Sequence, residues 1–220
     1  MDLQDLGCDE WVSDHAGREL APGHCLARVL SVDRNTCLVS DGSREMPAEL
    51  SGRFRRSLES GQDLPCVGDW VCLLVASGER ALVQSVLPRK TFLCRKTPGH
   101  TRDVQMIAAN VDVAFVVQSC HFDFNVRRLD RYLVACREGG IEPIIILSKT
   151  DLLPPEEVNG LILDLRGAGI LSRILPLSNT TGEGLEPFRA LPEPRKTYCL
   201  VGSSGVGKST LVNRLLGREA

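Results

Sequence analysis

Residues 202–209, Gly-Ser-Ser-Gly-Val-Gly-Lys-Ser, constrain this chain more than any other stretch. They match G-x-x-x-x-G-K-[ST] in full, follow the apolar run Tyr-Cys-Leu-Val and open a helical pattern. Glycines let backbone N–H groups turn inward around a phosphate. The helix N-terminus adds partial positive charge. Gly202, Ser203, Ser204, Gly205, Val206, Gly207, Lys208, Ser209 and Thr210 form the expected phosphate-binding set. Lys208 would reach the β- and γ-phosphates, and Ser209 would ligate Mg²⁺ with Thr210 beside it. Such a loop needs a parallel sheet around it. The strand signals for such a sheet lie upstream of the loop.

From about residue 104 the chain alternates strand and helix signals. "VDVAFVVQ" and "IEPIIILS" are near-continuous apolar runs, as buried parallel strands should be. Between them, "NVRRLDRYLVACREGG" puts Val126, Leu129, Leu133 and Cys136 on one helical face, with Asn125 to cap it and Gly139 to end it. "PEEVNGLILDLRGAG", "SRILPLS", "GEGLEPFRAL" and "KTYCLVG" continue the alternation. The pattern predicts a parallel sheet covered by helices. Residues 22–90 read differently, as short apolar pieces separated by Gly, Asp and Asn turns. A small all-β barrel of the oligonucleotide-binding (OB) type is expected there, with an SH3-like barrel as the alternative. Residues 1–21 are expected to be a tail, 91–103 a linker and 104–220 the α/β domain.

A phosphate loop does not choose a base. "LSKTDL" lies at the C-terminal end of a buried strand, where open α/β sheets place ligands. Asp151 there can accept two hydrogen bonds from a guanine edge, a donor pair that adenine lacks. The Lys149 stem can lie across the base. Taken alone, "KTDL" reads more readily as a helix N-cap. A second turn, Ser178-Asn179-Thr180, follows the next strand. In GTP-binding proteins a turn at this place lets backbone amides touch guanine. The order is unusual: base motif and turn precede the phosphate loop. Circular permutation accommodates this where termini lie close.

The net charge of −2 hides an acidic start, with Asp2, Asp5, Asp9, Glu10, Asp14 and Glu19 against Arg18. That start lacks the features of a transit or secretory leader, and no apolar run reaches membrane-spanning length. Arg53, Arg55 and Arg56 cluster within four positions, either as RNA contacts or as a solvated loop. Nine cysteines without a Cys-x-x-Cys pair suggest reduced thiols in the cytoplasm. Cys120–His121 is an adjacent Cys/His pair that reads better as buried Cys than as a metal site.

A small barrel followed by a circularly permuted GTPase domain resembles the ribosome small-subunit-dependent GTPases of the RsgA type. "VGDWV", "PRKTFLCRK", "QMIAANVD" and "DFNVRRLDRYLVAC" carry the resemblance further, over roughly residues 22–217. It implies an α/β P-loop GTPase-type domain, circularly permuted and incomplete, preceded by an OB-like barrel. It implies GTP or GDP with Mg²⁺, GTP hydrolysis, late assembly of the small ribosomal subunit, rRNA contact through the barrel and a monomeric state. The guanine-binding set it implies is Ser148, Lys149, Thr150, Asp151, Ser178, Asn179 and Thr180.

Two departures qualify the resemblance. The family's base motif usually begins with Asn, where this chain has Ser148. The shorter hydroxyl predicts a several-fold weaker guanine affinity, about 1 kcal/mol. The family also continues beyond its phosphate loop into switch residues and a Zn²⁺-binding C-terminal domain, neither recognisable in these 220 residues. "KTPGHT" at 96–101 superficially resembles a switch motif but lacks the Asp, and is read as linker. An exposed apolar edge at "YCLV" is expected, and the catalytic residues for hydrolysis are unassigned. The competing readings are a non-catalytic RNA-binding module with an inert nucleotide site, and an ATP-using P-loop enzyme. Asp151 and the motif order disfavour the last.

Overall fold

The short apolar pieces of residues 22–90 fold as a closed five-stranded barrel. Its strands are β1 (His24–Val32), β2 (Thr36–Ser40), β3 (Glu45–Leu50), β4 (Trp70–Val75) and β5 (Ala81–Val86), in the order β1-β2-β3-β5-β4. All neighbours are antiparallel except β3 and β5, which pair in parallel. Inward positions alternate along the strands and meet in one core that includes Val29, Val39, Ala48, Leu73 and Val83. The computed structural model describes residues 2–34, 36–75, 81–96, 104–121 and 124–218. The chain divides into two units, Met1–Val111 with Pro194–Thr197, and Asp112–Glu193 with Tyr198–Ala220.

The first unit contains more than the barrel. Residues 1–21 differ from the expected tail: Glu10–Glu19 is a helix, α1, capped by the Asp9 carboxylate accepting from Val12 N–H at 3.0 Å. Its Val12 and Ala16, four residues apart, pack with Leu26, Trp70 and Leu87 in a second cluster outside the barrel core. That burial supplies the stability that a short, charged helix lacks on its own. The 91–103 stretch also differs from the expected linker. Strands β6 (Phe92–Lys96) and β7 (Val104–Ala109) form an antiparallel pair that belongs to the first unit. Residues 97–101 of the "KTPGHT" phrase lie outside the described residues.

"VGDWV" and "PRK" form a lock at the barrel's exit. The Gly68 backbone, at φ 90°, passes so close to β7 that a Cβ there would lie 2.1 Å from the Ala109 oxygen. Asp69 is fully buried and accepts from Arg89 Nε at 2.8 Å and Nη2 at 2.7 Å. Arg89 also donates to the carbonyls of Gln62 and Leu64, and Asp69 accepts from Cys66 N–H. Burial works against the charged guanidinium, but the Asp69 carboxylate more than offsets this and raises its pKa. The Arg53/Arg55/Arg56 cluster lies on α2 (Gly52–Ser57), a short helix capped by Ser51, and not on an irregular loop. Phe54 packs toward the barrel core, and all three arginines are exposed.

The second unit is a four-stranded parallel sheet. Its strands are β8 (Val113–Ser119), β9 (Glu142–Ser148), β10 (Arg173–Leu177) and β11 (Tyr198–Val201), in the order β10-β9-β8-β11. The connecting helices are α3 (Val126–Glu138), α4 (Pro155–Gly167) and α5 (Leu185–Arg189), and α6 (Lys208–Leu215) follows β11. As the spacing predicts, α3 is capped by Asn125, ends at Gly139 and buries Leu129, Leu133 and Cys136. Every residue of β8 is buried. One face of the sheet packs Phe115 edge-on to Phe188 and stacked on Tyr198, at 5.1 and 5.4 Å between ring centres. The last strand in the chain lies beside the first strand of the unit, so the permuted order closes into one sheet.

Candidate nucleotide site

All four parallel strands end on the same edge of the sheet, and each expected motif follows one of them. The sheet order places the β11 loop next to β8, then the base motif after β9, then the 178–180 turn after β10. This is the edge where open α/β sheets bind ligands.

The phosphate loop is shaped by its glycines. Gly202, Gly205 and Gly207 have φ of 147°, 78° and 98°. A Cβ on Gly202 would lie 2.2 Å from the Val117 oxygen, so the loop leaves its strand only if that residue has no side chain. Between the glycines, Val206 is buried in the sheet's core beside Leu211 of α6. It anchors the loop while Ser204 and Gly205 stay exposed. The Lys208 ammonium curls back over the loop and donates to the Gly202 and Ser203 carbonyls at 2.9 and 2.6 Å. Ser209 is exposed in the first turn of α6. A cradle free of side chains, a helix N-terminus and a lysine over the loop together fit a phosphate, and the free hydroxyl fits its Mg²⁺.

The base motif is braced from below. Ser148 is fully buried, and its hydroxyl donates to the Val206 carbonyl at 2.8 Å. The serine therefore ties the end of β9 directly to the phosphate loop. Lys149 adopts the left-handed conformation, φ 63° and ψ 38°, which is uncommon outside glycine. Its carbonyl accepts from the Cys120 thiol at 2.9 Å and from Leu152 N–H at 3.2 Å. Thr150 and Leu152 bound a short 3-10 turn that leaves the Asp151 side exposed. The alternative reading of this segment as a helix N-cap does not hold, since no side chain caps that turn.

Asp151 and the 178–180 turn are joined. The Ser178 hydroxyl donates to Asp151 Oδ1 at 2.5 Å and accepts from Thr180 and Thr181 N–H, each at 3.1 Å. Asn179 sits against the phosphate loop, its amide nitrogen 3.0 Å from where a Cβ on Gly207 would be. Its carbonyl accepts from Arg214 Nη2 on α6 at 3.2 Å. The turn is made possible by Gly184, whose Cβ would meet the Pro176 oxygen at 2.2 Å.

The structure thus brings together Ser148, Lys149, Thr150, Asp151, Ser178, Asn179, Thr180 and the loop from Gly202 to Thr210. Arg53, Arg55 and Arg56 belong to the first unit, a separate place on the chain. Arg55 there lines a cavity of about 330 Å³ with Arg34, Val32, Leu50, Leu58 and Leu64. Sequence reasoning missed Cys120 and Arg214. Cys120 was read only as buried, and nothing local marks its thiol as a brace for Lys149. Arg214 is one basic residue near a helix end, and its partner lies 35 positions away. Among the described residues no group of three or more His, Cys, Asp or Glu could hold a metal ion, and no helix is long and apolar enough to cross a membrane.

The family model described as RsgA GTPase matches residues 86–220. The chain is 36% identical over 200 residues to Small ribosomal subunit biogenesis GTPase RsgA 2 of Lactiplantibacillus plantarum, covering 90% of this chain and 55% of that protein. It is 33% identical over 228 residues to Small ribosomal subunit biogenesis GTPase RsgA of Opitutus terrae, covering 100% of this chain and 62% of that protein. The chain therefore spans little more than half the length of the curated relatives it matches. Among solved structures, YjeQ from Thermotoga maritima superposes with a TM-score of 0.67 at 24% identity, over 87% of this chain and 65% of that one. YloQ, described as a circularly permuted GTPase, superposes with a TM-score of 0.60 at 23% identity, over 86% and 63%. Both likenesses concern the fold.

Proposed function

The chain belongs to the RsgA GTPase family, and from that premise we propose that it binds GTP and GDP with Mg²⁺ and serves in assembly of the small ribosomal subunit. The observation that carries the nucleotide reading is the hydrogen bond from Ser178 to Asp151, because it joins the two guanine-reading segments at the same sheet edge as the phosphate loop. Asp151 takes the ring N–H and exocyclic amine of guanine, and the Lys149 stem covers the base. Lys208 and the N–H groups from Gly202 to Thr210 hold the phosphates. Ser209 ligates Mg²⁺, which would neutralise charge on the phosphates. The chain's own residues account for binding and orienting the nucleotide. Hydrolysis is proposed on family membership, and no residue here is assigned to it.

The same reading assigns rRNA to the barrel. Three exposed arginines on α2, and a cavity with arginine and apolar walls beside them, suit a phosphate backbone and a base face. A cytoplasmic, monomeric protein away from membranes is proposed with it; all nine cysteines are free thiols, as a reducing compartment requires. Zn²⁺ enters only through a C-terminal domain of the kind the resemblance implies.

Titration with a fluorescent GDP analogue in Mg²⁺, competed with GDP and ATP, tests the proposal. Displacement by GDP but not ATP is expected, with loss of binding in Lys208→Ala. Equal displacement by ATP would sink the guanine assignment. Salt-dependent RNA binding that survives Lys208→Ala, with no nucleotide binding in the unsubstituted chain, would favour the non-catalytic RNA-binding alternative.

A further inference from the structure

The 178–180 turn has two peptide planes, and the structure treats them differently. The plane between Asn179 and Thr180 is held at both ends. Its N–H donates to the Ser178 hydroxyl at 3.1 Å, and its carbonyl accepts from Arg214 Nη2 at 3.2 Å. The preceding plane is held at one end only, where the Ser178 carbonyl accepts from Gly182 N–H at 3.1 Å, and it presents the Asn179 N–H, which makes no hydrogen bond among the described residues. The two planes meet at Asn179, so holding the second narrows the dihedrals that, together with the Gly182 bond, set the direction of the Asn179 N–H.

Arg214 reaches this turn from α6, the helix that the phosphate loop opens. Its Nε is buried without a hydrogen-bond partner, and so is Asn179 Oδ1. A buried guanidinium nitrogen left unpaired is costly, and the bond to the Asn179 carbonyl offsets part of that cost. Asn179 is also pressed against Gly207. Arg214 therefore connects the helix behind the phosphates to the peptide that faces the base.

Resting on the guanine reading above, we infer that Arg214 is a positioning residue for base recognition. It clamps the Asn179 carbonyl so that the Asn179 N–H points at the 6-keto oxygen of the purine. A 6-amino purine offers a donor at that place and leaves the N–H unpaired. Arg214 touches neither base nor phosphate. Its contribution belongs to the keto-reading contact alone, separate from the Asp151 contacts and from the phosphate loop.

The test compares Arg214→Ala and Arg214→Lys with the unsubstituted 220-residue chain, using GDP, IDP, ADP and pyrophosphate as competitors of a fluorescent GDP analogue. GDP and IDP both carry the 6-keto oxygen; ADP does not, and pyrophosphate has no base. In Arg214→Ala, GDP and IDP should weaken by a common factor of about fivefold, with ADP and pyrophosphate unchanged. Arg214→Lys, which keeps one donor, should recover most of the loss. Thermal melts of the three proteins confirm that each is folded. Equal weakening of all four competitors would overturn the inference, because it would mean general damage to the site. So would unchanged keto preference in Arg214→Ala. An unsubstituted chain that prefers neither GDP nor IDP over ADP would overturn the guanine reading itself, and the inference with it.

Discussion

Ser148 does structural work at the candidate site whether or not it meets a base. Its side chain is short for reaching a base, yet its hydroxyl reaches the Val206 carbonyl and braces the phosphate loop from beneath. Removing it in Ser148→Ala leaves that carbonyl buried and unpaired. The expected cost is about 1–2 kcal/mol in urea unfolding, with a several-fold loss of GDP affinity as the loop relaxes. Restoring the family's residue is not a free gain. Ser148 is fully enclosed, so Ser148→Asn must displace neighbours, and overpacking of this kind costs about 1–3 kcal/mol. A stability measurement on both variants separates the brace from the fit: only Ser148→Ala should lose affinity in proportion to the lost hydrogen bond. Gly202 makes a sharper case. Its backbone conformation and the 2.2 Å approach to the Val117 oxygen leave no room for a methyl group. Gly202→Ala should abolish GDP binding while the far-UV circular dichroism spectrum stays close to that of the parent.

The barrel's exit is built from elements whose connection runs through buried charge. Asp69 precedes β4, and Arg89 follows β5. The pair is bidentate, with two further arginine N–H groups on the Gln62 and Leu64 carbonyls. Asp69→Ala leaves a partly buried guanidinium without its counter-charge, and about 3–5 kcal/mol of destabilisation is expected. Asp69→Ala with Arg89→Leu should recover part of this, since removing both charges removes the unpaired one. Urea unfolding followed by tryptophan fluorescence checks it, because Trp70 is adjacent in sequence and fully buried. These elements also show what the sequence could tell. Buried parallel strands such as β8 announce themselves, because a strand covered on both faces is apolar throughout. The Asn125 cap and the phosphate loop are local chemistry and are equally plain. Strand β3 is harder, since Pro47 and alternating Glu45 and Glu49 disguise its inward Met46 and Ala48. Helix α1 is harder still: only Val12 and Ala16 are fully buried, and tertiary packing makes it a helix. The candidate site divides the same way. Its motifs are contiguous and readable, whereas the braces from Cys120 and Arg214 join residues 29 and 35 positions apart and exist only once the sheet has formed.

Across the molecule, buried cysteines occur in both units, and this gives the whole fold a shared sensitivity to alkali. Burial pushes the thiols of Cys37 and Cys136 up to about 11, and that of Cys66 up to about 12, with Asp69 adding to the last. In the unfolded chain each would titrate near the usual 9.0. Between these values the unfolded chain has released protons that the folded chain still holds, so stability falls as pH rises. Below pH 9 the contribution is fully present; it is lost progressively as pH climbs through 9 toward 11. Each such thiol steepens the decline by at most about 1.4 kcal/mol per pH unit. Replacing one should flatten the profile over that window even where the substitution itself lowers stability at pH 7. Cys37→Ala is best read by tryptophan fluorescence, since Trp11 and Trp70 both lie in the first unit, and Cys136→Ala by far-UV circular dichroism. The slope between pH 9 and 11 is the quantity that decides. A slope unchanged in both variants would overturn the assignment of the alkaline loss to these thiols.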